Sequence, residues 1–159
     1  MNTQENALPY DSRQIANCLI EISDRRNQSM SIMRLLKLAY MSHGWTLAIY
    51  DEPLVNDYVQ AWRYGPVIPS IYYAFRPFGV YGLKAIPIVK EETIDSDDYD
   101  FIEAVYDLYK DLSGTRLSQL THILGGPWHK TYEPGKLGIV IPNELISDHF
   151  KDKLARIES

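Results

Sequence analysis

The chain has 159 residues, 45% of them hydrophobic and 12% aromatic, which suits one packed domain burying roughly 70% of its unfolded surface and argues against intrinsic disorder. Sixteen Lys and Arg against 21 Asp and Glu give a formal charge of -5, which disfavours nonspecific contact with a phosphate backbone. Cys18 is the one cysteine, so no intramolecular disulfide can form; no apolar run approaches the ~18 residues of a membrane span, and the start MNTQENALPYDSRQ lacks a signal-peptide pattern, so a cytoplasmic location is expected.

Residues 1–10 are polar, stop at Pro9, and read as a loose lead-in before Asp11 or Ser12 caps a helix. Ile15, Cys18, Leu19 and Ile22 then recur at helical spacing, and Asp24, Arg25, Arg26 and Asn27 are expected to end that helix in solvent. Ser29 or Ser31 opens the strongest helix. Its apolar residues from Ile32 to Ala48 cover so wide a surface that burial on more than one side is predicted. Asp51-Glu52-Pro53 breaks it, Tyr58 to Trp62 alternates like a short strand, Arg63-Tyr64-Gly65-Pro66 reads as a turn, and Pro69 starts a helix running to Arg76.

Pro77 to Val89 is rich in Gly, Pro and β-branched residues and reads as irregular, with one short strand near Ala85 to Val89. Glu91 to Asp100 carries six acids and reads as a solvated loop feeding a helix Tyr99–Leu112 with Phe101, Val105, Leu108 and Tyr109 inward. Ser113 caps a short helix Thr115–Leu124 with Leu117, Leu120 and Leu124 inward, ended by Gly125-Gly126-Pro127. A helical turn at Trp128 to Tyr132, an extended piece at Gly138 to Ile141, and a helix with Pro142 at its first position and Asn143 to Phe150 complete the chain. The expected fold is mainly α, a compact single-domain helical unit over 11–150 with at most a minor short β component, followed by a short polar tail, 151–159.

Chemistry-bearing patterns are sparse. His43, His122, His129 and His149 form no metal-ligand spacing, so no metal and no cofactor is expected. His43 reads as a hydrogen-bonded core histidine, and Cys18 as a buried packing thiol rather than a nucleophile. GxSxG, GxxxxGK[ST] and GxGxxG patterns are all missing, and the acid pairs lie in a hydrophilic run. The helix beginning at Ser31 carries Arg34 and Lys37 among apolar residues and reads as core, not as a DNA-reading helix.

What stands out is aromatic. Trp62, Tyr64, Tyr72, Tyr73, Tyr81, Trp128 and Tyr132 fall in or near turns marked by Gly and Pro, the kind of placement that supplies interface hot spots. Between the two roles open to them, Trp62 and Trp128 lean toward the core and the tyrosines toward a wet interface.

Four blocks in order, LLKLAYMSHGWTLA (Leu35 to Ala48), VQAWRYGPVIPSIYYAF (Val59 to Phe75), LSGTRLSQLTHILGGPWHKTY (Leu112 to Tyr132) and IPNELISDHF (Ile141 to Phe150), resemble the Panacea domain of SocA-like and phage-associated GepA-like proteins. The resemblance implies an antitoxin of a toxin-antitoxin system, which neutralises a cognate toxin encoded next to it by direct contact. It leaves open a proteolytic adaptor that delivers the toxin to a ClpXP-type protease. The motif falls on Trp62, Gly65, Pro66, Val67, Thr121, His122, Pro127 and Trp128; with Tyr64 and Tyr72 these form a candidate partner-binding surface or its scaffold, with no catalytic residue. Gly65 and the prolines suit a stiff loop architecture. The expected partner is a toxin protein, one of basic charge given the acidic chain, with no direct nucleic-acid or membrane contact. The enzyme-class rival is a hydrolase using His122 and His129.

Overall fold

In the computed structural model, residues 8–87 and 93–159 are described, and they form a mainly α structure with a small antiparallel sheet. The central element is α2 (Ile32–Tyr50), opened by Ser31, whose Oγ accepts from the Arg34 amide at 3.1 Å, and closed by Asp51 in the left-handed region. Every residue from Arg34 to Ala48 is buried, as the wide apolar surface requires. The other elements exist largely to cover it.

Helix α1 (Ser12–Arg25) begins at Asp11, which caps it in a reciprocal box with Gln14, and buries Ile15, Cys18, Leu19 and Ile22. Its end lies in solvent as expected, with Asp24, Arg25 and Asn27 exposed. Arg25 and Arg26 reach Glu103 at 3.1 and 2.8 Å, and Arg26 reaches Asp107 at 2.6 Å, so this exposed terminus is also tied to α4 (Ser96–Leu108). The described end of the lead-in is also tied: Tyr10 is buried beside Val55, donates to Asp98 at 2.6 Å, and accepts from the Asp95 amide.

The inward stripe of α4 differs from the expected one. Val105 and Tyr109 are buried, but Ile102 and Tyr106 replace Phe101 and Leu108, and Leu108 is 57% exposed. The helix starts three residues earlier than expected, and the face is set by Tyr106, whose ring receives the Arg34 guanidinium at 4.9 Å. Between the helices, Asn17 clamps the irregular stretch by donating to the Ile86 carbonyl and accepting from its amide. Ala85 to Pro87 forms no strand, while the rest of that expected strand and the Glu91-Glu92 pair lie outside the described residues.

The sheet is ordered β2-β1-β3, from β1 (Val59–Trp62), β2 (Gly65–Val67) and β3 (Ile139–Ile141), all antiparallel, with Trp62 opposite Gly65 and Val59 opposite Ile141. The turn is therefore Arg63-Tyr64 alone, and Gly65 and Pro66, expected in it, belong to β2. Pro66 is tolerated because β2 is an edge strand.

Short helices follow: α3 (Pro69–Phe75), α5 (Gly114–Thr121), capped by Ser113, and α6 (Pro127–Thr131). Because α5 stops at Thr121, Leu124 is carried past it and is 82% exposed rather than inward. The last helix, α7 (Asn143–Glu158), takes Pro142 as its cap residue and runs on through the stretch read as a polar tail. Its Phe150 enters a notch over Gly44 and packs edge-on to Tyr40 and Trp45 at 5.8 and 5.1 Å. His43 is a satisfied core histidine: Nδ1 accepts from the Leu54 amide at 3.3 Å, so Nε2 donates to Asn143 at 2.9 Å, and burial lowers its basicity. Burial likewise pushes the Cys18 thiol up to about 12, far from reactive. No described helix is long and apolar enough to cross a membrane.

Candidate partner-binding groove

The β1–β2 hairpin stands against α5 and α6 through backbone carbonyls that side chains capture. Ser118 donates to the Tyr64 carbonyl at 2.8 Å, and Trp128 Nε1 donates to the Trp62 carbonyl at 2.6 Å. His122 donates through Nδ1 to the Ser118 carbonyl at 2.6 Å, with Nε2 3.5 Å from the Arg63 carbonyl. Thr121 Oγ1 donates to the same Ser118 carbonyl at 2.6 Å. Rings complete the brace: His122 lies 4.0 Å from Trp128, which stacks on Tyr132 at 4.7 Å and 15°. A turn whose successive carbonyls are held this way has little freedom to move.

Beside the hairpin lies a groove of about 820 Å³, lined by the start of α2, the sheet, α3, Tyr132 and the loop before β3. Trp62 forms one wall, held by a 2.9 Å hydrogen bond from its Nε1 to Gln60 and by edge contact with Tyr72 at 5.1 Å; Tyr73 packs on both rings. Tyr64, Tyr73 and Leu137 stand around the rim, 60%, 67% and 97% exposed. Exposed apolar side chains gathered at one cleft mark an interaction surface more often than they occur by chance.

Lys37 lines the groove yet is fully buried, and its hydrogen bond among the described residues goes to the Pro66 carbonyl at 3.1 Å. Desolvation alone lowers its amine to about 7. It sits against Gly65: a Cβ there would lie 2.9 Å from Lys37 Cε and 2.8 Å from Thr121 Oγ1, and Gly65 has φ +121. Glycine is thus required at that position by both space and backbone.

The ten candidate residues fall into two sets. Trp62, Tyr64, Val67 and Tyr72 line the groove. Gly65, Pro66, Thr121, His122, Pro127 and Trp128 are absent from its lining; Trp128 bonds to the hairpin, His122 packs on Trp128, and Thr121 bonds back to Ser118 within α5. Lys37, Arg63, Lys136 and Leu137 were not singled out from the sequence. For Lys37 the signal existed, a lone cation inside the apolar run LLKLA, but a run that apolar reads first as core. Arg63 and Lys136 lie far apart in sequence and come to line one groove only through the fold.

His129 Nδ1 accepts from the Gly125 amide at 3.1 Å, a turn-closing role. Among the described residues no cluster of His, Cys, Asp or Glu could hold a metal ion.

Comparison with known proteins bears on this arrangement. The chain matches the family described as Antitoxin SocA-like, Panacea domain, over residues 35–129, which spans α2, the hairpin, α5 and most of the brace. It is 31% identical over 155 residues to Antitoxin SocA of Caulobacter vibrioides (strain NA1000 / CB15N), covering 89% of this chain and 82% of that protein. No solved structure matches the chain significantly. By the extent of both matches, the chain belongs to the Panacea-domain family of SocA-like antitoxins.

Proposed function

We propose that the chain neutralises a cognate toxin by direct binding, with the groove and its aromatic rim as the contact surface. The observation that carries this reading is the placement of exposed Tyr64, Tyr73 and Leu137 around an 820 Å³ groove whose hairpin wall is held by bonds from Ser118 and Trp128. Rigid aromatic side chains contribute much of the affinity at interfaces because little entropy is lost when they are covered. The brace residues act on this surface indirectly, by holding it in shape.

The reading is of a binding protein acting in the cytoplasm, without catalysis and without direct nucleic-acid contact. Two features support it over a histidine-based hydrolase. His122 Nδ1 is committed to the Ser118 carbonyl, and His129 closes a turn.

The test is co-expression with the adjacent open reading frame, induced alone and together with this chain while growth and co-purification are followed. Growth arrest that is relieved together with a stable complex supports neutralisation by occlusion. Relief accompanied by loss of the partner protein points to delivery to a ClpXP-type protease, and the absence of any complex or rescue overturns the proposal.

A further inference from the structure

The groove opposes in charge the molecule that carries it. Acids outnumber bases over the whole chain, yet the groove lining includes Lys37, Arg63 and Lys136 and no Asp or Glu. Lys136 shares its charge with Glu133 at 3.3 Å. Arg63 lies over the Tyr64 ring at 5.5 Å and has no ion pair among the described residues. Lys37 is buried in the wall and bonded to the Pro66 carbonyl, so the accessible cations of the groove are Arg63 and Lys136.

The second feature is the reach of the rim. A pocket for a small molecule closes around roughly 70–90% of its ligand. Here Tyr64, Tyr73 and Leu137 project outward beyond walls made by Trp62, Val67 and Tyr72, which suits a chain that enters, crosses and leaves.

We propose that the groove receives an extended apolar segment of the partner protein that carries carboxylate side chains, with Trp62 and Tyr73 covering its apolar residues and Arg63 and Lys136 receiving its acids. This rests on the antitoxin reading above and adds the chemistry of the contacting segment. It also separates two charge effects. The net charge of -5 attracts a basic toxin at long range, whereas the groove selects an acidic stretch within it.

The experiment uses the full chain and the product of the adjacent gene. A photoactivatable benzophenone side chain is placed at Tyr73 and, as a control, at exposed Ile157 on α7, and cross-linked peptides of the partner are identified. In parallel, Kd is measured for the Arg63→Glu/Lys136→Glu double variant and for Tyr73→Ala, all at exposed positions where folding is retained. The expected result is cross-linking from position 73 to one acidic, apolar peptide, with Kd raised at least tenfold in both variants and restored in the double variant when that peptide's acids are changed to Lys. Cross-links from position 157 with none from 73, or Kd unchanged in both variants, overturns the groove assignment. Absence of any complex with the unaltered chain overturns the antitoxin reading itself.

Discussion

Lys37 and Gly65 occupy one shared space: the lysine Cε and Nζ lie 2.9 and 3.0 Å from where a Cβ on Gly65 would be. The glycine of the hairpin is therefore fixed by an amine buried in the central helix, and each residue explains the other. Gly65→Ala is expected to cost about 2–4 kcal/mol, combining positive-φ strain with a crowded site. A denaturant midpoint unchanged from wild type would contradict this.

Lys37 gives a pH signature. Its folded-state amine lies near 7, below the unfolded value of 10.5. Below 7 both states are protonated and the full burial penalty is present; between 7 and 10.5 the unfolded chain binds more protons, so stability rises with pH. The difference in unfolding free energy between wild type and Lys37→Met is expected to shrink by roughly 3–4 kcal/mol from pH 6 to pH 10, with the Met variant the more stable at pH 6. A parallel pair of stability curves would show that Lys37 carries no such linkage.

Trp128→Phe keeps the stacking surface on Tyr132 but removes the donor that holds the Trp62 carbonyl at 2.6 Å. The expected loss is about 1–2 kcal/mol of stability. Binding of the toxin partner should weaken as well, although Trp128 does not line the groove. Calorimetric titration against the partner, compared with Tyr73→Ala, separates loss of shape from loss of contact.

Gly44 and Phe150 form a lock between α2 and α7. A Cβ on Gly44 would lie within 2.6 Å of three Phe150 ring atoms. Gly44→Ala is expected to destabilise by about 3 kcal/mol, and Phe150→Leu in the same chain should recover part of that loss. Additive losses in the double variant would mean that the two residues do not meet as described.

The legible parts of the fold were those governed by local chemistry. Ser31 and Ser113 are caps, α2 is buried all round, and Pro69 opens α3, because capping, amphipathicity and proline geometry act within a few residues. The stripe of α4 departs from the expected one at two of its four positions, Ile102 and Tyr106 standing in for Phe101 and Leu108, because Tyr106 answers to Arg34, 72 positions away. Leu124 was placed inward on the assumption that α5 continued to it, whereas α5 stops at Thr121. The same distinction holds at the groove. The aromatic turn residues were visible, but the joining of α2, α3 and the loop before β3 into one groove depends on tertiary contacts that no local pattern encodes.

The central helix is completed late. During synthesis α2 emerges with its apolar surface open, and the residue that plugs the notch at Gly44 comes more than a hundred positions later, on α7. Until Phe150 leaves the ribosome, Tyr40 and Trp45 have no ring to pack against on that side. An interrupted chain that ends before α7 therefore presents a sticky helix, open to chaperones and proteases, so that only a finished polypeptide gains the protection of its own core.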